Sequence, residues 1–97
     1  MTYGHKSHFD PVTIEVEVVN EHGLHARPAH KVVVLANHYT STIRVIKDEL
    51  EVDAKSIMSL MMLAAEKGTM LTIRAEGPDG KEAADALCEL FASGFGE

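Results

Sequence analysis

Residues 26–38, Ala26-Arg27-Pro28-Ala29-His30-Lys31-Val32-Val33-Val34-Leu35-Ala36-Asn37-His38, carry two conflicting signals. Ala29, Val32, Val33 and Ala36 recur at i, i+3, i+4 and i+7, the spacing of an amphipathic helix. Val32-Val33-Val34 is equally a β-branched run suited to a strand. Periodicity alone does not choose, and the element order of the whole chain depends on the choice. Pro28 decides it. A proline removes an N–H and fixes φ, which the first turn of a helix tolerates because its N–H groups lack intrahelical acceptors. The segment is therefore expected to be a helix starting just after His25.

Upstream, Ile14, Val16 and Val18 alternate with polar residues from Thr13 onward, the period of a strand with one buried face. Asn20-Glu21-His22-Gly23 interrupts that alternation as a loop. Downstream, Thr42 to Ile46 and the shorter Leu50 to Val52 read as a hairpin turned at Lys47-Asp48-Glu49. Ser56 stands where an N-cap belongs, ahead of the apolar run Ile57 to Ala64, with Lys67-Gly68 expected to end that helix. Met70 to Ala75 alternates again. Gly77-Pro78-Asp79-Gly80 is a turn, and Asp79 with Glu82 has the spacing of a capping box for a last helix through Phe91, stopped by Gly94 and Gly96.

Strand, helix, strand, strand, helix, strand, helix is the order of an α+β protein, with helices on one face of a mostly antiparallel sheet. Polar alternate residues in the strands leave the other face wet. At 97 residues and 10.6 kDa the chain suffices for one core, expected over residues 12–97, behind a loosely held tail over residues 1–11. Hydrophobic residues at 45% and charged residues at 25% are globular values that exclude disordered and low-complexity classes.

Nine basic against fifteen acidic residues give a net charge of -6, which repels phosphate backbones and anionic lipid. Nucleic acid and membrane partners are thus not expected. No apolar run is long enough to span a bilayer and the start lacks a signal segment, so the expected location is the cytoplasm. One cysteine, Cys88, builds neither a disulfide framework nor a zinc site.

Six histidines, at positions 5, 8, 22, 25, 30 and 38, crowd the first part of the chain. Among them His25 has the most chemical context, within Gly23-Leu24-His25-Ala26-Arg27-Pro28-Ala29. It lies at the mouth of the expected helix, where free N–H groups and the positive end of the macrodipole favour an anion. Arg27 adds a planar fork for phosphate oxygens, Gly23 lets the loop bend, and Pro28 sets the first turn. An imidazole in that setting is a nucleophile toward phosphorus, its neutral form being populated near pH 7. The plainer reading is that His25 caps a helix and Arg27 is a solvated charge.

Gly-Leu-His-Ala-Arg-Pro-Ala, followed about thirty residues on by Lys55-Ser56-Ile57-Met58, resembles the HPr family, the histidine-containing phosphocarriers of the phosphoenolpyruvate-dependent sugar phosphotransferase system. The likeness runs from about Thr13 to Phe91. It implies an open-faced β-sandwich, a four-stranded antiparallel sheet covered on one face by three helices. It also implies that His25 takes a phosphoryl group on Nδ1 from phospho-enzyme I and passes it to enzyme IIA domains, with Arg27 stabilising the group and Gly23, Ala26 and Pro28 shaping its support. Such a protein is a carrier without a cofactor or metal, not a complete enzyme, and is expected to be a monomer.

The same resemblance makes Ser56 a regulatory site for an HPr kinase/phosphorylase, with a plain N-cap as the bland alternative. It makes Ile57, Met58 and Met61, with Lys55, the docking patch beside His25, while Leu60 and Leu63 turn inward. Two departures stand out: Val34 and Asn37 replace basic residues common on the first helix, leaving Arg27, Lys31 and Lys55 as the nearby cations, and His22 and His30 add imidazoles near His25. An HPr-like carrier of a regulatory, for instance nitrogen-related, relay would use the same His25 chemistry. A metal-binding domain using the surplus histidines is the remaining alternative, without a Cys/His quartet to support it.

Overall fold

A computed structural model describes residues 9–97. Of the tail expected over residues 1–11, residues 1–8 lie outside the described residues, and Phe9 to Pro11 lead into the first strand. The elements are β1 (Val12–Glu17), α1 (Ala26–Ala36), β2 (Thr42–Lys47), β3 (Leu50–Asp53), α2 (Ile57–Met62), β4 (Met70–Glu76) and α3 (Gly80–Ala92), with a short 3₁₀ turn over Gly94–Gly96. The four strands form one sheet in the order β1-β4-β2-β3, every pairing antiparallel. The expected order of elements and the one-sided helical layer are both present.

Residues 26–36 are helical, with Pro28, Ala29, Val32 and Ala36 buried and Val34 exposed. Alternation, as in a strand, would have put Val32 and Val34 on the same side. Sheet register explains the strand pattern: Val16 pairs with Leu71, and Val45 with both Ile73 and Val52, all of them buried beneath the helices. On the opposite face Arg44 lies directly across from Arg74. Glu51 lies within 3.2 Å of Arg74 and 3.9 Å of Arg44, offsetting a like-charge cross-strand pair.

Two local expectations are corrected. Helix α2 stops at Met62, well before Lys67-Gly68. Leu63 is buried in the core and Ala64 turns left-handed at φ 50, with Leu63 and Ala64 N–H bonding back to Leu60 and Met61 carbonyls. The Lys47 ammonium then takes up the Leu63 carbonyl at 3.0 Å, satisfying an orphan acceptor from a different element. Gly68, at φ +93, serves the following turn instead.

Asp79 is the N-cap of α3 but makes no capping bond, so there is no capping box with Glu82. Its carboxylate instead accepts from Thr40 N–H and Ser41 N–H, each at 2.9 Å, and from the Ser41 hydroxyl at 2.5 Å. This ties the β4–α3 turn to the segment after α1. The Ser41 hydroxyl first, then the Thr40 N–H, hold the Asp79 carboxyl below its ordinary 3.8.

Candidate functional site

The loop before α1 is shaped by Asn20 and Gly23. Asn20 is buried; its side-chain amide donates to the Gly23 carbonyl at 2.7 Å, and Gly23 N–H returns to the Asn20 carbonyl at 3.2 Å. Gly23 has φ +73, and a Cβ there would lie 2.5 Å from the Ala65 carbonyl oxygen. Only glycine fits both constraints. Leu24, buried, donates its N–H to that same Ala65 oxygen at 2.8 Å, so the loop is pinned against the segment following α2.

His25 is the N-cap residue of α1 in backbone conformation, φ -82 and ψ -167, yet its side chain makes no capping bond. The plain capping role is therefore not the one its imidazole plays. Its carbonyl accepts from Ala29 N–H at 2.9 Å, the first bond of the helix. Pro28 brings no N–H, so the entrance presents the N–H groups of Ala26 and Arg27, which a helix cannot satisfy internally. Arg27 is exposed and has no ion pair among the described residues.

The two ring nitrogens differ. Nε2 is fully covered and lies 3.4 Å from a Glu97 carboxylate oxygen, without hydrogen-bond geometry. Nδ1 is not covered in this way, and the side chain as a whole is 40% exposed. His22 meets the His25 ring edge-on at 6.0 Å between centroids, and both His22 and His30 are exposed. Among the described residues no group of three or more His, Cys, Asp or Glu side chains is arranged to hold a metal, and His5 and His8 lie outside them.

The nominated docking residues are distributed unevenly. Met61 shares a shallow depression of about 240 Å³ with His25, His22, Leu24, Ala65 and Glu66. Met58 is 76% exposed but does not line that depression, and Ile57 packs partly against the core. Leu60 and Leu63 are buried, as expected. Met62, in the same methionine stripe but not among the residues expected to dock, is 67% exposed. Lys55 is half-buried and donates to the Tyr39 carbonyl at 2.8 Å, and Lys31 donates to the Phe95 carbonyl. Of the three cations expected near His25, Arg27 alone is uncommitted.

Ser56 caps α2, its hydroxyl accepting from Ser59 N–H at 3.2 Å. A larger apolar groove of about 410 Å³, lined by His30, Lys31, Val34, Leu35, His38 and Leu90, does not include His25. The residue that sequence reasoning missed is Glu97. Nothing local marks it, because its approach to His25 depends on how the chain folds back after α3.

Known proteins resemble this chain over most of its length. The family model described as PTS HPr component phosphorylation site matches residues 12–93. The phosphocarrier protein HPr of Cupriavidus necator is 45% identical over 83 residues, covering 86% of this chain and 93% of that one. The phosphocarrier protein NPr of Proteus mirabilis is 43% identical over 83 residues, covering 84% and 92%. A crystal structure of HPr from Thermoanaerobacter tengcongensis superposes with a TM-score of 0.86 at 44% identity, covering 89% of this chain and 97% of that one.

Proposed function

This chain belongs to the PTS HPr family, and we propose from that premise that it is a phosphocarrier, accepting a phosphoryl group on His25 from phospho-enzyme I and passing it to enzyme IIA domains. The observation that carries the reading is the asymmetry of the His25 ring, with Nε2 covered and Nδ1 open at the start of α1. The Nδ1 lone pair attacks phosphorus as the donor's bond to phosphorus breaks, so a P–N bond forms and no proton need be lost from Nδ1. Phosphoryl oxygens meet the Ala26 and Arg27 N–H groups, which the start of the helix holds in place before the charge arrives, and the Arg27 guanidinium, exposed and unpaired among the described residues, is free to join them. Onward transfer reverses the step. Gly23 and Pro28 act by holding this geometry, so the protein is a carrier rather than an enzyme with a pocket for its own substrate.

Met61, with Met58 and Met62 beside it, supports an adaptable docking surface next to the histidine, because thioethers repack at low cost. Ile57 and Lys55 frame this surface more than they present it. We further propose that the carrier acts as a monomer, in the cytoplasm and without a cofactor, on the strength of its family alone. No described helix is long and apolar enough to cross a membrane.

Ser56 is the proposed regulatory site for an HPr kinase/phosphorylase. A phosphate on it would add charge beside Ile57 and Met58 and oppose docking of an apolar partner face. The similarity to a phosphocarrier named NPr favours a second reading of the same chemistry, a regulatory relay without sugar transport. The test is intact mass after incubation with phosphoenolpyruvate and enzyme I, with and without mild acid. One acid-labile phosphoryl group located on His25 supports the reading; no added mass with an enzyme I able to label another HPr refutes it. Challenge of the labelled protein with IIA domains from sugar and from regulatory branches then separates the two branches.

A further inference from the structure

Methionine ordinarily fills irregular gaps in a core, yet the buried cluster here is built of Val, Leu, Ile, Ala and Phe. All four methionines among the described residues are exposed. Met58 and Met62 show the largest fraction of their surface, ahead of Met70 at 52% and Met61 at 43%. Three of the four belong to α2, at i, i+3 and i+4, and so share one helix face, while Leu60 enters the core from the other. Met61 carries that face into the depression that holds His25 and His22. Met70 begins β4 opposite Glu17; its neighbour Leu71 is buried beneath the helices, so Met70 lies on the bare side of the sheet.

Leucine at these positions would supply a similar apolar area and no chemistry. A thioether is a soft nucleophile that peroxides oxidise, more readily the more exposed it is. Sulfur attacks a peroxide oxygen, an S–O bond forms as the O–O bond breaks, sulfur gives up two electrons, and the peroxide leaves as water or an alcohol. The product is a polar sulfoxide. A methionine sulfoxide reductase reverses the change, two thiols becoming a disulfide while the oxygen departs as water. Helix α2 keeps Leu60 and the following Leu63 as its buried contacts and Ser56 as its cap, none of which peroxide alters, so the oxidised helix stays on the core.

We propose that Met58, Met61 and Met62 form a reversible oxidation site, through which a peroxide turns the docking surface polar and weakens partner binding while His25 stays intact. This rests on the phosphocarrier reading, with the methionine surface as its docking face, and adds the regulation of that face. A partner face that covers thioethers has to bury sulfoxide oxygens with no donors matched to them, which costs affinity. The His25 ring, the Arg27 guanidinium and the helix entrance are chemically unchanged, so the transfer step itself keeps its rate. Met70, on the bare side of the sheet, is oxidised without consequence for transfer.

The test treats the full chain with hydrogen peroxide, then with a thiol reductant that returns any oxidised Cys88 while leaving sulfoxides in place, and locates added oxygen by peptide mass. Met58 and Met62 are expected to be oxidised ahead of Met61. With the oxidised chain as substrate of enzyme I, KM rises about three- to ten-fold, the loss of a partly buried apolar contact, while kcat and the melting temperature hold. Methionine sulfoxide reductase with a dithiol restores KM. The chain carrying Met58→Leu, Met61→Leu and Met62→Leu together shows no change in its own KM on peroxide treatment, and Met70→Leu shows the wild-type response. Three results overturn the proposal alone: α2 methionines that stay reduced where free methionine is oxidised, an unchanged KM in wild type carrying these sulfoxides, or a peroxide response that survives in the triple leucine chain. The first two need no variant. Failure of the untreated chain to be labelled overturns the carrier reading beneath it.

Discussion

Replacing Gly23 by alanine tests the geometry of the phosphoryl-accepting loop most sharply. The backbone there has φ +73, where an L side chain costs about 1–2 kcal/mol. A Cβ would also lie 2.5 Å from the Ala65 carbonyl oxygen and 3.0 Å from Glu66 Cα, both backbone atoms that cannot swing aside. Relieving the first contact means displacing one segment by about half an ångström or more, and forced repacking of this kind costs about 1–3 kcal/mol. The two terms together come to about 2–5 kcal/mol, and the Leu24 N–H bond to that same oxygen is weakened by the movement. For a domain of this size the loss lowers the melting temperature by roughly 10–40 °C. Urea and thermal unfolding read the stability. The initial rate of labelling by enzyme I, measured below the variant's melting transition, reads the placement of His25. A loss under about 1 kcal/mol with an unchanged labelling rate would refute the claim that this loop needs glycine against the segment after α2.

Three further outcomes are expected. His25→Ala keeps the fold and abolishes phosphoenolpyruvate-dependent labelling, while Arg27→Ala keeps labelling but slows transfer by about 10²-fold, the usual effect of losing one donor to a transferring group; rapid-quench kinetics check both. Asp79 carries its proton less readily when folded than when unfolded, so its contribution to stability is present above the unfolded value near 3.8 and is lost as pH falls through the lower folded value. Melting temperature plotted against pH should therefore fall more steeply in acid for the wild type than for Asp79→Asn, and identical acid limbs would refute the Thr40–Ser41 clip as the cause. Ser56→Asp slows phosphorylation by enzyme I roughly two- to ten-fold through charge beside the methionine surface, with the hydrophobic core unaffected; unchanged kinetics would remove Ser56 as a switch.

The sequence alone determined what depends on neighbours along the chain. Alternation of Ile14, Val16 and Val18 and of Leu71, Ile73 and Ala75 specified the buried strand faces, because successive strand residues point to opposite sides. Pro28 settled helix against strand, and the Gly23 to Ala29 stretch marked the histidine at the helix entrance. The tertiary structure decided which distant groups meet. Asp79 carries the spacing of a capping box, but packing brings Thr40 and Ser41 within reach of its carboxylate, and three donors there outweigh one backbone N–H in its own helix. Lys47 reads as part of a turn and Lys55 and Lys31 as cations near His25, yet each ends on a carbonyl of another segment, because a long side chain gains more by satisfying an orphan acceptor than by remaining in water. Glu97 is the extreme case. Its carboxylate reaches His25 only because α3 lies across the sheet beside α1 and three left-handed residues turn the chain back, a consequence of element packing and backbone handedness that no local periodicity encodes.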